Sequence, residues 1–188
     1  MAYFAISNML WGAWSALGPI VADRDLGGAA VWGTILAAVG VGALTGSLVA
    51  TRAKPRRPLV LVALSGAVFA VPLAFLAASA PVPLLAFGAF LSGAALMLGN
   101  SVWESTLQRH IPAESLSRVS SYDWFGAFAF YPLGLAVWGP VAGAVGVADA
   151  LWVAFALFTA ATVAPLALPD TRRLRAAPEA VREGGPAR

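Results

Sequence analysis

The chain has 188 residues, 60% of them hydrophobic and 11% charged, against about 25% charged in a soluble domain. That composition excludes a water-solvated globule and makes the bilayer the natural solvent, and the absence of cysteine excludes a disulfide framework and a thiolate metal site. The net charge of +3 sits in short loops and a tail rather than on one face, which argues against a nucleic-acid surface.

The spacing of apolar runs predicts an all-α membrane protein with six transmembrane helices over residues 1–168, at about 3–22, 31–51, 59–78, 84–103, 124–144 and 150–168. Residues 169–188 read as a disordered tail. The first run lacks a basic leader and carries Asn8, Trp11 and Trp14 inside its apolar stretch, so a span is favoured over a signal peptide. The second carries Gly42 and Gly46, a GxxxG pair that lets another helix approach closely. The basic loop RAKPRRP follows at 52–58. No charge occurs from Pro58 to Trp103, too long for one helix, so the turn at Ala80–Pro83 splits that run into the third and fourth spans. Residues 104–123 read as a charged, turn-forming elbow. The fifth span then carries Pro132, Gly134, Gly139, Pro140 and Gly143. This density of breakers is tolerable only where neighbouring helices re-satisfy the backbone.

The basic residues divide unevenly between the two sides that six spans create. One side holds Arg52, Lys54, Arg56, Arg57, Arg109, Arg118 and the arginines of the tail; the other holds Arg24 alone. The positive-inside rule therefore predicts cytoplasmic termini. The preference for arginine over lysine, with abundant alanine and glycine, points to a GC-rich bacterial genome and hence to a bacterial inner membrane. The spans also fall into two triplets of opposite starting side, the pattern of an inverted 3+3 repeat, although any six evenly spaced helices would give it.

Three stretches carry a resemblance: VWGTILAAVGVGALTGSLVATRAKPRRPL, LMLGNSVWESTLQRHIPAESLSRVSSYDWFG and PLGLAVWGPVAG. Together they resemble the carboxyl-terminal half, helices seven to twelve, of a bacterial major facilitator superfamily transporter, most closely the multidrug and siderophore exporters. GSLVATRAKPRR is similar to the superfamily's loop motif, although Ala50 and Thr51 stand where an acid usually precedes the arginine. Gly134, Gly139, Pro140 and Gly143 resemble a relaxed form of the antiporter glycine-proline motif.

The resemblance implies transport of a small molecule by alternating access, with efflux of a hydrophobic or drug-like solute. The implied partners are the lipid bilayer, an amino-terminal six-helix half and that solute. On this reading Asn8, Trp11 and Ser15 share a face of the first span, Met97 and Asn100 one of the fourth, and Phe128 and Tyr131 belong to an aromatic stripe of the fifth. These seven are the candidate substrate wall, although a lone membrane asparagine also serves to bond a neighbouring helix, and an aromatic stripe also serves as packing. Arg52, Arg56, Glu104, Arg118 and Asp123 form a candidate cytoplasmic latch, set against ordinary interfacial charge and helix capping. Gly42, Gly46, Gly134, Gly139, Pro140 and Gly143 are the candidate helix-packing positions.

No catalytic residue, metal site or cofactor is expected. His110 is the only histidine, Lys54 is followed by Pro55 with no phosphate loop around it, and no GxSG serine of an intramembrane protease is present. The alternative to a transporter is a non-transporting membrane remnant or assembly module. No ionisable side chain falls in the middle of a span, so a proton carrier near the midplane would have to come from the other half.

Overall fold

The structure, a computed structural model, describes residues 2–111 and 113–167. Among the described residues are six α-helices: α1 Ala2–Val21, α2 Ala29–Ala50, α3 Pro58–Ala77, α4 Val82–His110, α5 Ala113–Val145 and α6 Val147–Val163. No strand occurs among the described residues. Four segments are long and apolar enough to cross a membrane: α2, α3, α4 over 82–109, and α6 with the 3-10 turn that extends it to Ala167. A shorter apolar stretch, Ala129–Val145, lies in α5.

The expected elbow at 104–123 is helical almost throughout, with only Ile111 and Pro112 between α4 and α5. The charged and hydroxyl residues that suggested a loop are compatible with a helix that continues out of the apolar core. Ser105, Thr106 and Ser121 each donate to the carbonyl four residues back, at 2.7–2.8 Å, and so satisfy themselves within the helix. Thr34, Thr45 and Ser47 do the same on α2, which lets an apolar helix carry hydroxyls without a partner helix.

The connections follow backbone chemistry. α1 runs into a short π-helical turn, Ala22–Leu26, and stops where Gly27 and Gly28 take positive φ. Between α3 and α4, Ser79 holds φ 50° while its N–H bonds Leu76 and that of Ala80 bonds Phe75. This is a Schellman stop with a serine where glycine is usual. Replacing Ser79 by glycine relieves a left-handed strain of about 1 kcal/mol, so Ser79→Gly is expected to raise the unfolding temperature in detergent by a small, measurable amount.

Each helix has one or two main neighbours, and the spatial order is α5–α1–α6–α3–α4–α2. At the two outer pairs the backbones nearly touch. A Cβ added to Gly42 would strike the Phe90 carbonyl, and one on Gly46 would lie 2.8 Å from Ala94 Cα, both on α4. On the other pair, a Cβ on Gly12 of α1 would lie 2.7 Å from the Gly134 carbonyl carbon, and one on Gly134 would strike Met9. Glycine is required at these crossings because lipid-solvated helices hold together by close packing rather than by exclusion of water.

The centre is aromatic. Trp11 stacks on Phe69 with ring centroids 3.9 Å apart and on Trp14 at 5.4 Å. Trp14 meets Trp32 at 4.8 Å, and Phe69 meets Phe158 at 5.6 Å. The ring of Trp32 lies over Gly18, which ties α2 to α1 at one end.

Candidate functional site

On α1, Asn8, Trp11 and Ser15 are half-buried, as the shared helical face predicts. The α5 residues Tyr131, Gly134 and Trp138 stand at i, i+3 and i+7 and so turn together towards α1. The Tyr131 hydroxyl donates to Ser15 Oγ at 2.8 Å, and Trp138 Nε1 donates to the Met9 carbonyl at 3.0 Å. Gly134 makes room for both bonds by letting the backbones meet between them.

Met97 and Asn100 are half-buried on α4. α6 and α3 stand between α1 and α4 in the spatial order. The structure therefore joins Ser15 with Tyr131, and Trp11 with the aromatic core. The Phe128 side chain lies outside the described residues. Of the α5 aromatics, Tyr131 and Trp138 face α1, while Leu135 on the same stripe is exposed, as are Phe125 and Phe130 off it.

Of the expected latch, Arg52, Arg56 and Glu104 are exposed, and no ion pair joins them among the described residues. The side chains of Arg118 and Asp123 lie outside those residues, as does that of His110. The packing positions divide into two sets. Gly42, Gly46 and Gly134 are buried at the crossings; Gly139 and Gly143 have nothing within 4 Å of an added Cβ, and Pro140 is exposed.

Three contacts lay outside the sequence reading. Ser92 of α4 donates to the Phe69 carbonyl of α3 at 3.1 Å, Trp32 covers Gly18, and Trp138 bonds Met9. Only the last had a usable signal, the i, i+3, i+7 spacing of Tyr131, Gly134 and Trp138. No group of three or more His, Asp or Glu side chains able to hold a metal occurs among the described residues.

A glycine-packed bundle of apolar helices, with hydroxyl, amide and aromatic groups within it and charge kept outside the apolar stretches, defines a multi-pass membrane protein of the transporter class. The chain belongs to the transmembrane secretion effector family of the major facilitator type, whose sequence profile matches residues 1–182. That family is one of membrane transport rather than of enzymes. No curated protein and no solved structure matches the chain.

Proposed function

We propose that the chain forms the carboxyl-terminal six-helix half of an exporter that moves a hydrophobic or drug-like solute across a bacterial inner membrane by alternating access. The observation that carries this reading is the chemistry of the bundle. The sequence has no charged side chain from Pro58 to Trp103 or from Trp124 to Ala148. The polar groups within the bundle include the Ser15–Tyr131 pair, Asn8, Asn100 and the buried hydroxyls of Ser7 and Thr159. Such a wall suits an uncharged or aromatic solute bound by stacking and single hydrogen bonds. A coupling proton would need a carrier in the opposite half.

The inverted 3+3 repeat belongs to the same reading, and its support is internal. Exchanging α1 with α4, α2 with α5 and α3 with α6 reverses the spatial order onto itself. The exchange carries Met9 and Gly12 to Phe90 and Gly93, and Gly134 and Leu135 to Gly42 and Ala43. The close approaches correspond: Gly134 meets Met9 as Gly42 meets Phe90, and Gly12 meets Leu135 as Gly93 meets Ala43. Phe69 corresponds to Phe158, its own ring neighbour. Two such halves would place a site between them near the midplane. The open positions Gly139 and Gly143 then await a helix of the other half. The latch of Arg52, Arg56, Glu104, Arg118 and Asp123 would close the cytoplasmic end in one state.

The test is transport. Co-reconstituted with a matching six-helix amino-terminal half, the chain should export a hydrophobic dye from proteoliposomes, and alone it should not. Tyr131→Ala and Asn100→Leu should each lower the rate at unchanged protein level. Saturable transport by the chain alone would overturn the half-transporter reading. Failure of the paired halves on a panel of hydrophobic solutes would favour the non-transporting module.

Orientation has its own measurement. In this cysteine-free chain, a single cysteine at Gly27 or Val82 should react with an impermeant reagent from outside the cell, and one at Ala53 should not. The reverse pattern would place the termini outside.

A further inference from the structure

Three of the four sides of α4 are occupied. Phe90, Gly93 and Ala94 meet α2, while Gly88, Ser92 and Gly99 meet α3. At about 100° per residue these two sets lie on opposite sides of the helix. Leu85, Ala89 and Leu96 pack into the core. The fourth side carries Leu84, Phe87 and Leu91, all exposed, and half-buried Leu98 continues the same line. From Leu84 to Leu98 this apolar strip runs about 21 Å at the helical rise per residue. With α2 and α3 on its flanks, it forms the middle of an outward apolar face.

One end of this face lies near a cluster of charge. Gly46 meets Ala94 and α2 ends at Ala50, so the α2–α3 connection leaves α2 near the Leu98 end of the strip. That connection holds Arg52, Lys54, Arg56 and Arg57, all exposed. The sequence has no Asp or Glu between Asp25 and Glu104. Arg52, Arg56 and Arg57 form no ion pair among the described residues. Arg52, Arg56 and Arg57, near the end of that face, therefore meet no matching acid from α2, α3 or the loop itself.

We propose that this face and loop form a binding site for one anionic phospholipid, with an acyl chain along Leu84, Phe87, Leu91 and Leu98 and the phosphate held by Arg52, Arg56 and Arg57. A neutral lipid fits the apolar strip equally well, so selectivity comes from the loop. Arginine suits the task because its planar fork pairs two donors with phosphate oxygens. The site rests on the chain's place in a membrane and not on transport, so a failure to transport leaves it intact.

The experiment is native mass spectrometry of the purified chain in uncharged detergent, titrated with phosphatidylglycerol or phosphatidylcholine of identical acyl chains. Phosphatidylglycerol should be retained about tenfold more tightly or better. Each arginine near an anionic headgroup is worth roughly fivefold, so the triple Arg52→Gln, Arg56→Gln, Arg57→Gln variant should lose on the order of a hundredfold and with it the preference. The triple lysine variant, which keeps the charge, should retain most of it. Arg172→Gln with Arg173→Gln, a loss of charge elsewhere, should leave it unchanged. Equal retention of the two lipids by the native chain would overturn the site, as would an equal loss in the Arg172/Arg173 variant. Displacement of the lipid by millimolar inorganic phosphate would also overturn it, since the loop would then hold a free anion and not a lipid.

Discussion

Gly42→Ala is expected to destabilise the bundle by about 1–3 kcal/mol, the cost of overpacking a filled contact, while Gly40→Ala on the same helix should stabilise it by up to about 1 kcal/mol. The two positions differ only in what a methyl group meets. At Gly42 it meets the Phe90 carbonyl, a backbone atom that no rotamer change can move, so α2 and α4 must separate. At Gly40 nothing lies within 4 Å, and the substitution simply removes a flexible residue from a helix. Gly134→Ala should behave like Gly42→Ala, because its methyl would strike Met9. Thermal unfolding in detergent, followed by size-exclusion chromatography, reads both signs. A shared sign at Gly42 and Gly40 would mean that the α2–α4 crossing is not the close approach described. Gly139→Ala adds a second contrast. It should be neutral or stabilising in the isolated chain and destabilising in a complex with the other half, if that half packs against α5.

Much of the architecture was legible because the bilayer imposes a simple rule on sequence. Long apolar runs separated by charge or proline must be helices, since no other open structure satisfies the backbone in lipid. The GxxxG pair Gly42–Gly46 was readable for the same reason and lies at a crossing. Hydropathy, however, registers only the apolar part of a helix. It therefore missed the continuation of α4 and α5 through Glu104, Arg109 and Ser121, where hydroxyls bond their own carbonyls and water can solvate the rest. Glycine spacing alone could not separate Gly42–Gly46, which is pressed on a neighbour, from Gly139–Gly143, which is open. The direction of a face was equally hidden. Trp11 was read as part of a substrate wall, and its ring stacks on Phe69 of α3, a partner remote in sequence. The hydrogen-bond partner of Ser15, Tyr131, lies 116 residues away, beyond any local pattern.

The second large effect belongs to the aromatic centre. Phe158 is 1% exposed, and its ring meets Phe69, which in turn stacks on Trp11. Truncating a buried phenylalanine to alanine costs about 3–5 kcal/mol in soluble cores. In lipid the transfer part of that cost falls away, because the unpacked side chain would face hydrocarbon rather than water, and the lost packing and the cavity remain. Phe158→Ala is therefore expected near the lower end, about 3 kcal/mol, and Leu157→Ala, at a residue 51% exposed, close to zero. Phe69→Ala should cost at least as much as Phe158→Ala, since Phe69 also supports Trp11. The double variant should cost less than the two single costs combined, by about 0.5–1.5 kcal/mol for the aromatic pair. Tryptophan fluorescence supplies an independent reading. Loss of Phe69 unstacks Trp11 and should shift its emission, whereas loss of Phe158 should do so only weakly. Strict additivity of the two substitutions would mean that α3 and α6 do not meet through these rings, and would remove a contact that the proposed repeat maps onto itself.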